Sequence, residues 1–284
     1  MADKQWIGTD GNWGTAGNWS PSGVPVASDN VYITTGSDDI TGSDQSGVVL
    51  NSLTVGKGFT GSIGSSGTKL QIESTNFDYS GTGTSAYIDG AFTTVTVQDT
   101  STDANALNLY GSVGNIVTLR IIGGRGTLNI DSSCNITTTI EQIGADSITT
   151  NIADGTTIGG SATLTMDSGK MELNQAVPTI TIFGGELVAA LDSGTVTTLN
   201  QYGGRIRWNP TASCTITTLT IYNGLFDSTD STAPAFTITN TTVHESGRLD
   251  ERSGLSNIAF TNPIAMEGGG GEVFYDSGRE ITVT

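Results

Sequence analysis

A phrase that returns about every twenty residues constrains this chain more than anything else in it. Val117-Thr118-Leu119-Arg120-Ile121-Ile122-Gly123-Gly124 comes back eighty residues later as Thr197-Thr198-Leu199-Asn200-Gln201-Tyr202-Gly203-Gly204. Ile180-Thr181-Ile182-Phe183-Gly184-Gly185 and Leu219-Thr220-Ile221-Tyr222-Asn223-Gly224 repeat it, and weaker copies begin at Ile140, Leu164, Val243 and Ile264. The intervals between anchors are 21, 24, 16, 19, 20, 24 and 21 residues. A near-constant period of this size marks a repeat architecture, in which each unit buries its apolar side only against its neighbours.

The residues inside the period predict strands. Thr215-Ile216-Thr217-Thr218-Leu219-Thr220-Ile221 and Thr179-Ile180-Thr181-Ile182 alternate β-branched apolar and polar residues with period two. Gly-Gly, Asn-Gly and Ser-Gly pairs punctuate them and supply corners. No stretch carries apolar residues at helical spacing over the length a helix needs. The Leu-x-x-Leu-x-Leu-x-x-Asn skeleton of leucine-rich repeats is missing, and a β-sandwich would have no reason to repeat its turn spacing.

The expected fold is therefore all-β: a right-handed parallel β-helix (β-solenoid) with coils of ~20 residues and an N-terminal Trp-rich cap. Three segments follow: residues 1–45 as cap and attachment module, 46–116 as an irregular β region or early coils, and 117–284 as solenoid. Equal phase predicts one inward ladder of Leu119, Ile140, Leu164, Ile180, Leu199, Leu219, Val243 and Ile264. At ~4.8 Å per coil, eight anchors span roughly 40 Å.

Residues 1–33 are different. They hold three of the four tryptophans, in Trp6-x-Gly8, Asn12-Trp13 and Asn18-Trp19-Ser20-Pro21, followed by Gly23-Val24-Pro25 and Asp29-Asn30-Val31. A solenoid end exposes both a strand edge and an apolar core, and bulky indoles suit a cap that covers them. Trp6, Trp13, Trp19 and Pro25 are thus candidate cap and attachment residues; a carbohydrate-stacking platform is the competing reading.

This order of motifs resembles the opening module of certain large β-helical bacterial surface proteins. It also resembles bacteriophage virion proteins that begin almost directly at the motif, as this chain does at Trp6. The likeness covers about fifty residues, through Leu53-Thr54-Val55 and Thr60-Gly61-Ser62-Ile63-Gly64. It implies a structural virion protein, such as a capsid decoration protein, head fibre or tail fibre. It carries over no catalytic residue.

Composition points the same way. Charged residues make up 14% and the net charge is −17, so contact with nucleic-acid phosphates, which needs clustered Lys and Arg, is not expected. Acidity keeps many displayed copies soluble and mutually repelled. There is no signal-peptide pattern and no apolar run long enough to span a bilayer. The expectation is synthesis in a host cytoplasm and a place on the particle exterior, with no membrane partner.

The candidate sites for chemistry are thin. Cys134 and Cys214 each lie fifteen residues past an anchor; equal phase four coils apart is too far for a disulfide, so both should be free thiols. Asp131 and Asp192 share a phase but sit three coils apart, beyond a glycosidase pair. Arg248, Asp250, Glu251 and Arg252 with His244 read as a loop of local salt bridges. Arg205 and Arg207 flank Ile206 on one strand face, and Arg125 matches Arg205 in phase. These three form a candidate face for an acidic glycan or a partner protein, weighed against an ordinary solvated face. No catalytic, cofactor-binding or metal-binding residue is assigned, and no cofactor is expected.

The leading expectation is a non-enzymatic capsid decoration protein or head fibre, assembled as a homotrimer and attached to the major capsid protein or another virion protein. The alternatives are a tail fibre or receptor-binding protein contacting a host surface glycan, and a tailspike-type polysaccharide depolymerase.

Overall fold

Alternation of Thr, Val and Ile with small polar residues favours extended backbone, and one inward residue in two gives each strand an apolar face. The computed structural model describes residues 1–81, 83, 85–100, 106–145, 147–229, 236–252, 258–275 and 283–284. It is all-β, 1% helical, and winds as a parallel β-solenoid of about 10 turns with coils about 22 residues apart. The coil is slightly longer than the anchors suggest. Two compact units divide the chain, Met1–Asn151 and Ile152–Thr284.

In the first unit, parallel register lines up Val31, Leu53, Phe77, Val95, Leu119 and Ile140 as one buried column. It runs through the strands Asn30–Gly36, Asp44–Phe59, Leu70–Tyr79, Ser85–Val97, Ile116–Ile121 and Asn135–Gln142. Residues 46–116 thus contain parallel-paired strands. A second column, Ile40, Ile63, Ala86, Leu107 and Leu128, closes the core from another side. Burying a Leu or Ile in such a column stabilises by roughly 1.5–3 kcal/mol relative to leaving it exposed. Polar residues stack as well. The Asn129 amide donates to Asn108 at 2.9 Å, and the Asn151 amide donates to Asn129 at 2.8 Å, a ladder that satisfies polar side chains from coil to coil.

In the second unit, Leu164, Ile180, Leu199 and Leu219 form the expected ladder. The next rung differs from the sequence expectation. Leu219 pairs with Thr241, and Thr241 with Ile264, whereas Val243 pairs with Ile221 and Met266. Val243 is buried but belongs to the neighbouring column. A two-residue slip keeps every side chain on its face, so an apolar residue two places along looks equally correct in sequence. A further column runs Met171, Leu187, Ile206, Phe226 and Leu249.

The repeated Gly-Gly also has a physical cause. Gly185, Gly204 and Gly224 have φ of 77°, 67° and 90°. A Cβ on Gly204 would lie 2.5 Å from the Gly185 carbonyl oxygen, and one on Gly224 would lie 2.4 Å from that of Gly204. Those carbonyls are in use: Gly185 accepts from the Arg205 amide at 2.9 Å and Gly204 from the Leu225 amide at 3.1 Å. Only a residue without a side chain fits both the turn and the close coil-to-coil contact.

Candidate functional site

The tryptophans come together. Strand Asp3–Trp6 pairs in parallel with Asn30–Gly36 and antiparallel with Trp19–Ser20, which sets Trp6 opposite Trp19. Trp6, Trp13 and Trp19 are each 1% exposed. Trp19 meets Trp6 at 5.0 Å and Trp13 at 4.7 Å between centroids, both edge to face, and its indole N–H donates to the Trp13 carbonyl at 2.8 Å. Such ring pairs contribute ~0.5–1.5 kcal/mol beyond burial. Full burial leaves no indole face for a sugar, which removes the basis of the stacking-platform reading.

The small residues of the module serve the indoles. A Cβ on Gly8 would lie 2.4 Å from the Trp6 ring, so the Trp-x-Gly spacing makes room for that ring. The Asp10 carboxylate accepts from the Asn18 side-chain amide, the Asn12 amide at 2.9 Å and the Thr15 hydroxyl at 3.3 Å. Chiefly through Asn18, these bonds hold its pKa below the ordinary carboxylate value. Pro25 is buried. Asp29, 2% exposed, accepts from the Ala2 amide at 2.7 Å and the Val26 amide at 3.1 Å, tying the chain start to the first coil.

The arginines are less available than the sequence suggests. On strand Arg205–Trp208, Ile206 and Trp208 are buried while Arg205 and Arg207 share the outer face, as expected. Yet the Arg205 guanidinium is hydrogen-bonded to Asp227 on the next coil. Burial pushes the Asp227 carboxyl upward, but the bonds from Arg205, Thr229 and the Thr229 amide outweigh it and leave its pKa lowered. Other pairs on the unit's strands follow suit: Lys170–Glu172 at 2.5 Å and Arg248–Glu272 at 2.8 Å. Arg125, in the first unit, is exposed at the start of strand Arg125–Ile130, just after Gly123-Gly124.

The Arg248–Arg252 group is not a loop, because Arg248 and Asp250 lie within strand Phe236–Asp250. Arg252 holds Asp250 at 2.6 Å and lowers its pKa, while His244 Nδ1 lies 3.5 Å from Glu267. These are structural pairs between neighbouring residues or coils, each worth little alone. Asp192 does find a carboxylate partner, Asp154, whose pKa is raised by the hydrogen bond and charge of Asp192. Both thiols are free and buried, and burial pushes Cys134 up to about 12 and Cys214 up to about 11. Neither is an activated nucleophile. Among the described residues no group of three or more His, Cys, Asp and Glu side chains could hold a metal ion.

Sequence reasoning missed one constellation. Phe183, Tyr202, Tyr222 and His244 stack along the outside of the second unit, with centroid separations of 5.1, 4.5 and 4.3 Å and ring planes within 16° of parallel. The three phenyl-type rings are exposed. Their signal was present: each directly follows a buried residue of one column, Ile182, Gln201, Ile221 and Val243 in turn. Because the rings cover one another's faces, mid-ladder members offer ligands only their edges.

No protein-family model, no curated protein and no solved structure matches this chain.

Proposed function

We propose that this chain is a non-enzymatic structural protein of a bacteriophage particle, a capsid decoration protein or head fibre held through its N-terminal module. The observation that carries the reading is the interlocked cluster of Trp6, Trp13 and Trp19. The residues behind the resemblance to virion proteins include the indoles themselves, Gly8, which makes room for the Trp6 ring, and Asp29, which ties the chain start to the first coil. Support for a cap comes from strand Asp3–Trp6, which occupies the edge of Asn30–Gly36 opposite Asp44–Phe59. The acidic surface of a −17 chain suits dense display. A homotrimer seated on the major capsid protein completes the reading, by analogy with symmetric virion assemblies.

Quantitative mass spectrometry of purified particles tests it. The expected result is hundreds of copies per particle, lost when Trp13 and Trp19 are both replaced by Ser while the β circular-dichroism signal persists. A few tens of copies would favour the tail-fibre alternative. Absence from particles, or loss of polysaccharide viscosity on incubation with the protein, would overturn the structural reading. Sedimentation as a monomer that still decorates particles would refute the trimer.

A further inference from the structure

Two adjoining depressions on the first unit, of about 440 and about 580 Å³, share Gly42 and Thr68. Both fall in the ~300–1,000 Å³ range of ligand clefts. Their floor is shaped by close backbone contact: a Cβ on Gly42 would lie 2.0 Å from the Thr68 carbonyl oxygen. Gly64 and Gly67 on the rim add no bulk.

The polar groups here are built in. Asp89 is 2% exposed, and its carboxylate accepts from the Ser112 amide at 2.9 Å, from the Ser112 hydroxyl and from the Gln71 side-chain amide at 3.4 Å. The Ser43 hydroxyl oxygen is buried and has no hydrogen-bond partner among the described residues. A buried hydroxyl left unpaired costs about 1–3 kcal/mol, so the packing at this groove is held against a local cost. Lys69 sets its ammonium over the Tyr110 ring, 4.1 Å from the centroid, rather than against a carboxylate among the described residues.

The mixture of charges selects the ligand. Asp39, Asp44 and Asp89 repel a polyanion, and Lys69 at the same groove repels a metal ion. Hydroxyl, amide, ammonium and carboxylate groups side by side match a molecule that donates and accepts at every position, and Tyr87 adds an aromatic wall. We propose that this groove binds a neutral saccharide. The inference goes beyond the structural role above and does not rest on it, because sugar binding and particle incorporation are measured separately.

The test uses the full chain with N-acetylchitohexaose, cellohexaose and maltohexaose as neutral probes, and hyaluronan and heparin oligosaccharides as acidic ones. Saturation-transfer NMR and calorimetric titration provide the readouts. The expected result is saturable binding of at least one neutral probe, weakened about tenfold or more by Lys69→Ala. Gly67→Trp should abolish binding with an unchanged thermal midpoint, since a Cβ at Gly67 meets no atom within 4 Å. Arg205→Ala should leave binding intact. Binding of no neutral probe, binding of acidic probes only, or full binding by Gly67→Trp would overturn the proposal.

Discussion

Tyr202 lies flat against Tyr222, their centroids 4.5 Å apart and their planes within 2° of parallel. Tyr222 stacks on His244 as well, so it is held on both faces, whereas Phe183 at the ladder's end is held on one. Tyr222→Ala should therefore cost about 1–3 kcal/mol in urea unfolding, and Phe183→Ala about half that. Equal losses at the two positions would show that stacking is not what these rings contribute.

Thr241 occupies an inward rung between Leu219 and Ile264, and its hydroxyl, buried, has no partner among the described residues. Thr241→Val keeps the shape and removes the unpaired group, so it should stabilise the fold by about 0.5–2 kcal/mol. Ile180→Asp in the same column places an unpaired charge in the core and should cost several kcal/mol, at least about 3. A near-native melting curve for that variant would contradict the register.

Gly204→Ala combines a positive φ with a clash against the Gly185 carbonyl. The expected loss is at least about 2 kcal/mol, read by chemical denaturation. An alanine tolerated there would mean that neighbouring coils are looser at this corner than described.

Acid response should come from two sets of carboxylates with opposite signs. Asp227 and Asp250 have lowered folded pKa values, so their contribution is present above the ordinary carboxylate value and is lost as pH falls through the lowered one. Arg205→Ala removes part of that lowering and should move acid unfolding to higher pH. Asp154 is raised above 3.8, so its contribution is present below that value and is lost as pH rises through the raised one. Asp154→Asn should therefore lose less stability than the native chain as pH rises above the ordinary carboxylate value of 3.8. Unfolding followed by circular dichroism across that range gives the sign directly.

Much of the fold was legible because a parallel coil puts equal sequence phase at equal lateral position. Leu164, Ile180, Leu199 and Leu219 could be aligned by inspection. Val243 could not, since period-two alternation cannot distinguish a rung from its neighbour two residues on. Residues 46–116 hid their phase because the steps from Leu53 to Phe77, Val95 and Leu119 are 24, 18 and 24 residues, the corners absorbing the difference. The polar groove was illegible for another reason. Ser43, Lys69, Asp89 and Ser112 come from successive coils, none belongs to the repeated phrase, and only folding sets them side by side.

The regular parallel pairing also bears on how this chain acquires its structure. Most strands find their partner about 22 residues away, so each added coil closes a loop of similar length at a similar entropic cost. Once two coils have met, the exposed edge of the last one templates the next, and growth resembles a zipper rather than a simultaneous collapse. Such a chain should be most vulnerable to misassembly before its first pair of coils forms. On that view, the interval between the synthesis of Asn30–Gly36 and of Asp44–Phe59 is the step that a chaperone or a slow ribosome would most affect.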